Sequence, residues 1–263
     1  MSIFISSLLF VGVVILIYMT TLYLLSTLLK RADIVDIGWG LGFVILSVAL
    51  FLRSDVITNE MVVILTLVSI WGFRLSKHIF SRNSKKKEDF RYLQFKKDWG
   101  KDFWWKSYIN IFILQGILML LISIPITYIF TFSTQTLDWL DFLGIGIWMF
   151  GFVFELIADA QLNVFISKKK LGLTDERILK TGLWSLTRHP NYFGEVTLWW
   201  GVWLIAISLI TPLSLLTILG PLTITLSILK VTGVPLLEKK YAGDPEWEEY
   251  KKKVPIFIPL KLR

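Results

Sequence analysis

The chain carries seven apolar stretches of bilayer-spanning length: 3–29, 34–52, 56–80, 108–132, 140–167, 190–210 and 212–231. Hydrocarbon offers no partner to a bare amide or carbonyl, so runs of about 20 apolar residues must satisfy their backbone internally, as helices do. The expected class is therefore all-α: an integral membrane bundle of about seven transmembrane helices, one domain over 1–263, with a short amphipathic helix at 236–253. The hydrophobic share of 54% fits that class. The first run lacks a basic region before it and a small-residue cleavage site after it, which reads as a retained span.

The connections are as uneven as the spans are uniform. Residues 81–107 form a long basic segment in which Trp99, Phe103, Trp104 and Trp105 interleave with lysines, the composition of a segment lying at a membrane interface. A second basic connector covers 168–189, and a basic tail covers 235–263. The connections 131–141 and 211–212 hold no Lys or Arg, and that between the second and third spans holds only Arg53. Positive charge is retained on the cytoplasmic side, so the N-terminus is expected outside and the C-terminus in the cytoplasm, in a bacterial inner (plasma) membrane. The net charge of +8 is accounted for by these loops and by lipid headgroups, so membrane lipids are expected partners and nucleic acid is not. With no cysteine and two histidines, His78 and His189, neither a disulfide framework nor a metal centre is expected.

Chemistry concentrates where polar residues enter the spans. At 187–195 the order is Thr-Arg-His-Pro-Asn-Tyr-Phe-Gly-Glu. Pro190 has no amide donor and suits the first turn of a helix, while His189 before it is pushed towards extended geometry. Asn191 and Glu195 then fall i, i+4 on one face, and an ionisable residue entering a span is a functional candidate. Glu155, Asp159 and Asn163 recur every four residues and make one polar stripe, which needs donors such as Lys168 to Lys170, Arg177 or Arg188. A helix end extending into water would explain the stripe equally. Arg74 and His78 are i, i+4 at the end of the third span, and Asp33 and Asp36 open the second, with Lys30 and Arg31 near enough to neutralise one of them. A desolvated Asp36 could donate a proton to a carbonyl. In the last helix Glu238, Tyr241, Glu248 and Tyr250 sit among lysines, and spacing alone reads them as a solvated face.

Taken together, Gly182-Leu183-Trp184, the run Arg188 to Glu195, upstream Arg177, the pair Glu155/Asp159, and the tail Tyr241 to Tyr250 with Pro255 and Pro259 resemble the steroid 5-alpha-reductase family, in particular its bacterial branch. The resemblance covers roughly residues 30–260. It implies a helical bundle whose cytoplasmic half holds NADPH and whose membrane half admits a lipophilic enone. Asn191, Glu195, Arg177, Asp159 and Tyr241 fall on the family's nucleotide-contacting positions. Asp36 stands where the family has a substrate-polarising glutamate, and Trp71 where it has the partner tyrosine.

The expected cofactor-binding set is Glu155, Asp159, Asn163, Arg177, Arg188, His189, Asn191, Tyr192, Glu195 and Tyr241, with Arg177, Arg188 and the connector lysines meeting phosphates. The expected catalytic set is Asp36, Arg74 and His78, acting on hydride transfer from NADPH to a conjugated carbonyl lipid. No Gly-x-Gly-x-x-Gly joins a strand to a helix, so a soluble dinucleotide fold is not expected. Arg-His-Pro followed by a later Glu and Tyr also resembles the isoprenylcysteine carboxyl methyltransferases, which would make S-adenosylmethionine the cofactor. A lipid-binding protein without catalysis is the third reading.

Overall fold

The computed structural model describes residues 1–84, 87–239 and 241–260, and every regular element in them is helical. Lys85 and Lys86 of the basic segment, and 240 and 261–263 of the tail, lie outside the described residues. Among the described residues six segments are long and apolar enough to cross a membrane: Ser2–Leu29, Ile34–Arg53, Asn59–Asn83, Phe90–Ile122, Trp139–Lys170 and Ser214–Lys239. The first three are single helices, α1 to α3. The fourth contains α4 (Phe90–Trp99), α5 (Phe103–Ser107) and α6 (Leu114–Ile122), and α7 (Ile124–Phe132) follows. The helix is interrupted at Ser123, with Pro125 in the first turn of α7.

Beyond these come α8 (Trp139–Lys170), α9 (Pro190–Ser208), α10 (Leu219–Leu226), α11 (Val234–Lys239) and α12 (Pro245–Lys253). The expected span at 190–210 is helical over α9 but is not among the six, because Asn191 and Glu195 in its first turns dilute its apolar character. The single amphipathic helix expected at 236–253 is two. Gly243 adopts a φ of 82°, Asp244 caps α12 by accepting from the Glu246 amide, and Pro245 opens it, so α11 cannot run on.

The chain, read above as one domain, divides into two compact units. One comprises 1–141 and 205–220, the other 142–204 and 221–263.

In the first unit α1 buries one stripe, Phe4, Val11, Ile15, Met19, Leu22 and Ser26, and exposes Leu9, Val13, Leu16, Leu24 and Leu28 around it. Exposed leucines all round the remaining surface suit lipid, not water. Helices in lipid gain nothing from burying one another's apolar surface, so close packing depends on small residues. Such residues join α2 to α3: a Cβ on Gly72 would lie 2.6 Å from the Gly40 carbonyl oxygen. Tyr18 of α1 donates to the Gly38 carbonyl at 2.7 Å, tying α1 to the same glycine-rich face.

In the second unit glycines set the register of α8 and α9. A Cβ at Gly194 would sit 2.6 Å from both the Glu155 amide and the Gly151 carbonyl, and one at Gly201 would sit 2.6 Å from the Trp148 amide. The two helices therefore run antiparallel and backbone to backbone, which brings the polar half of α8 beside the start of α9. A small separate core of Ile178, Trp247, Tyr250 and Val254, with Tyr241 packed on it, fixes the connector and α12.

Candidate functional site

At the basic end of the second unit the sequence places carboxylates and amides where the α8–α9 contact is closest. Glu155 and Asp159 are 3% and 7% exposed, low values for carboxylates. Asn191, one residue into α9, donates from Nδ2 to Asp159 Oδ1 at 3.3 Å, and its own Oδ1 accepts from the Tyr192 amide at 3.1 Å. Glu195 lies half-buried one turn further along α9. The stripe thus holds over Glu155 and Asp159 and ends at Asn163, which is exposed.

The connector is pinned against this row. Gly182, with φ 63°, presses on the Gln161 side chain, whose Oε1 accepts from the Leu183 amide at 3.0 Å. Trp184 donates from its indole to the Ala158 carbonyl at 3.2 Å, and the Tyr250 hydroxyl donates to the Trp184 carbonyl. Burial pushes the Tyr250 phenol well above its ordinary value, so it remains a donor across the physiological range.

Arg188 has a different place from the phosphate-facing one expected. Its guanidinium is 9% exposed and donates from Nε to Glu238 at 2.8 Å and from one terminal nitrogen to the carbonyls of Val254 and Lys251 at 2.9 and 3.3 Å. Its amide donates to the Pro255 carbonyl at 2.9 Å. Arg188 is therefore a staple between the start of α9, α11 and the tail. Its donors go to carbonyls because Val254 and Pro255 leave the helix there, with Val254 already extended. His189, 3% exposed, meets the same Glu238 oxygen through Nε2 at 3.1 Å, and Tyr192 stacks on its ring at 5.7 Å. A carboxylate accepts, so Nε2 is the donor in that contact. Nδ1 is buried and has no hydrogen-bond partner. Glu238 and Tyr250, read from spacing as a solvated face, are instead half-buried and buried anchors.

The other expected nucleotide contacts lie nearer the surface. Arg177 has a 69% exposed side chain and pairs with Asp244 at 3.0 Å, and Lys180 pairs with Glu246 at 2.6 Å. Lys168 to Lys170 are exposed at the end of α8. Tyr241 stacks on Trp247 at 4.9 Å.

In the first unit Asp36 is engaged by residues that the sequence did not single out. Arg91 donates to Oδ2 at 2.6 Å and Tyr92 donates to Oδ1 at 2.7 Å. Arg91 also bridges to Asp89, the N-cap of α4, at 2.9 Å. Burial opposes a charge on Asp89, but hydrogen bonds from the Arg91 side chain and amide outweigh it and hold the carboxyl below the usual range. Arg31 takes Asp33 at 2.8 Å, as the neighbouring charges suggested. Asp36 thus accepts from both Arg91 and Tyr92, and in its contact with Tyr92 the phenol is the donor. Tyr92 is 3% exposed. Trp71 is 1% exposed and meets Phe43 edge to face at 5.5 Å. Arg74 and His78 lie half-buried on the basic half of α3. The one signal that could have found Tyr92 is its place beside Arg91 in the basic segment.

No curated protein and no solved structure matches this chain significantly. A family model described as "Protein of unknown function (DUF1295)" matches residues 22–254, a range that includes the glycine contacts, the buried carboxylate row and the Arg188 staple. This membrane protein belongs to the DUF1295 family.

Proposed function

We propose that the chain is a membrane-embedded NADPH-dependent reductase of conjugated carbonyl lipids, with the nucleotide held by the second unit. The observation that carries this reading is the buried polar row at the basic end of α8 and α9. Glu155 and Asp159 are acceptors for ribose hydroxyls and a carboxamide amine, Asn191 adds an amide, and His189 Nδ1 is a buried nitrogen without a hydrogen-bond partner. An unpartnered buried nitrogen is an unfavourable feature of a protein on its own, and a ligand donor would relieve it. Next to the row, Lys168 to Lys170, Arg177 and Lys180 supply positive charge suited to phosphates. The residues therefore fit a dinucleotide phosphate, with Arg188 positioning the site and not touching the ligand.

NADPH, when bound, supplies the hydride that adds to the β-carbon of the substrate. Within the first unit, the Tyr92 phenol is a candidate donor to a carbonyl oxygen, with Trp71 standing where the resemblance implies a tyrosine. Asp36 and Arg91 would orient that phenol through the contacts at 2.7 and 2.6 Å. Tyr92→Phe is expected to lower kcat by about 10²–10⁴-fold, the usual range for a general acid, while NADPH affinity stays unchanged. An unchanged kcat would remove Tyr92 from this role. Asp159→Ala is expected to weaken NADPH binding about 10–100-fold, as one charge-assisted hydrogen bond is worth about 1.5–3 kcal/mol. Equal affinity in the variant and the parent would remove the row from the nucleotide site.

Methyl transfer from S-adenosylmethionine is the second reading. It is favoured by one feature: Arg188 and His189 of the shared Arg-His-Pro run meet one carboxylate, Glu238, in a single cluster. S-adenosylmethionine has no phosphate, so it leaves the connector lysines without a task, and the reductase reading is preferred on that ground.

A further inference from the structure

The end of the first unit away from the basic loops is polar too, and the proposed reaction does not use it. Thr58 caps α3 by accepting from the Met61 amide, and its hydroxyl donates to Ser133 Oγ at 2.7 Å. Two residues on, Glu60 is fully buried, at 0% exposure. Its Oε1 accepts from the amide and hydroxyl of Thr134, at 3.2 and 2.9 Å. Its Oε2 is buried as well and has no hydrogen-bond partner. Asp141, 1% exposed, lies within electrostatic range of Glu60. It forms a capping box with Asp138: Asp138 Oδ1 accepts from the Leu140 and Asp141 amides, and Asp141 Oδ2 accepts from the Asp138 amide at 2.7 Å. The other Asp141 oxygen accepts from Ser208 Oγ at 3.0 Å.

A buried carboxylate oxygen that faces neither a donor nor a cation is strongly unfavourable. The described residues bring no base to it. Among the described residues no ion pair reaches Glu60 or Asp141, and Arg53, the one Lys or Arg in the connections at this end, donates to Ser6 Oγ at 3.0 Å and lies over the Phe10 ring. The hydroxyl protons nearby are committed: Thr134 to Glu60, Thr58 to Ser133, Ser208 to Asp141 or the Ile205 carbonyl. What remains is oxygen, two carboxylates and a set of hydroxyl lone pairs, which is the ligand chemistry of a hard cation. A divalent cage is not indicated, since no group of three or more His, Cys, Asp or Glu able to hold a metal occurs among the described residues. We propose that Glu60, backed by Asp141, binds a single monovalent cation, sodium. The ion completes the clasp between the start of α3, the 133–138 connection and the start of α8. With the basic loops in the cytoplasm this end meets the external medium, where sodium is plentiful.

The test is thermal unfolding of the full-length protein in detergent, in sodium chloride against choline chloride at equal ionic strength, so that screening is constant. Sodium is expected to raise Tm saturably by about 2–4 °C, and Glu60→Gln is expected to abolish that increment. Sodium-23 line broadening by the unmodified protein, reversed by excess potassium, reads the same site without relying on a folded variant. Equal Tm in the two salts with no line broadening would overturn the proposal. So would an increment that survives in Glu60→Gln, or a stabilisation that follows pH and ignores sodium.

Discussion

Arg188→Ala is expected to destabilise the second unit by about 3–5 kcal/mol, the usual cost of removing one partner from a buried ion pair. The loss is large because one guanidinium serves three acceptors, Glu238 on α11 and the Val254 and Lys251 carbonyls, and through Glu238 it orients His189. Removing it leaves Glu238 facing a histidine alone and frees the tail that the Arg188 amide and Thr187 hydroxyl hold at Pro255 and Ile256. Lysine is a poor substitute, since a single ammonium cannot reach both the carboxylate and the extended tail in fork geometry. Limited proteolysis should therefore cleave after the connector or within 240–260 in Arg188→Ala and, to a lesser degree, in Arg188→Lys. A melting curve and a cleavage pattern both identical to the parent's would show that the staple carries no stability.

Gly194→Val is expected to have an effect of similar size for a different reason. The added Cβ would fall 2.6 Å from the Glu155 amide and from the Gly151 carbonyl, and backbone atoms cannot turn aside as a side chain can. The helices must part, at about 3 kcal/mol or more, and the Asp159–Asn191 contact parts with them. Gly146→Val is the matched control on α8, because a Cβ there meets nothing within 4 Å. Loss of folded yield and of NADPH binding in Gly194→Val, with both retained in Gly146→Val, is the expected pair of results. Equal behaviour of the two variants would mean that the α8–α9 contact is looser than its geometry implies.

These two residues also mark where sequence reading succeeded and where it stopped. The start of α9 at Pro190 and the alignment of Glu155 with Asp159 follow from local rules: proline's missing donor and the helical period. The close approach at Gly194 was not legible, because a glycine in an apolar run signals permission for contact without naming the partner. Pairings between distant charges were out of reach for the same reason. Arg188 finds Glu238 fifty positions away and Arg91 finds Asp36 at a separation of 55, and many lysines and arginines lie closer in sequence to each carboxylate. The tail was misread as one helix because its charge pattern is amphipathic throughout, whereas Gly243-Asp244-Pro245 imposes a stop and a restart. Asp36 stands out in the sequence as a polar residue entering a span, and it is half-buried there. Its engagement as an acceptor was not legible, because that depends on Arg91 and Tyr92 arriving from another segment.

The most direct measurement is tryptophan fluorescence of the detergent-solubilised protein titrated separately with NADPH and S-adenosylmethionine, since Trp184 donates its indole to the Ala158 carbonyl one residue from Asp159. Saturable quenching by NADPH, weakened in Asp159→Ala, with no response to S-adenosylmethionine, is the predicted result. A saturable response to S-adenosylmethionine alone would contradict the reductase reading and turn the same buried row over to methyl transfer.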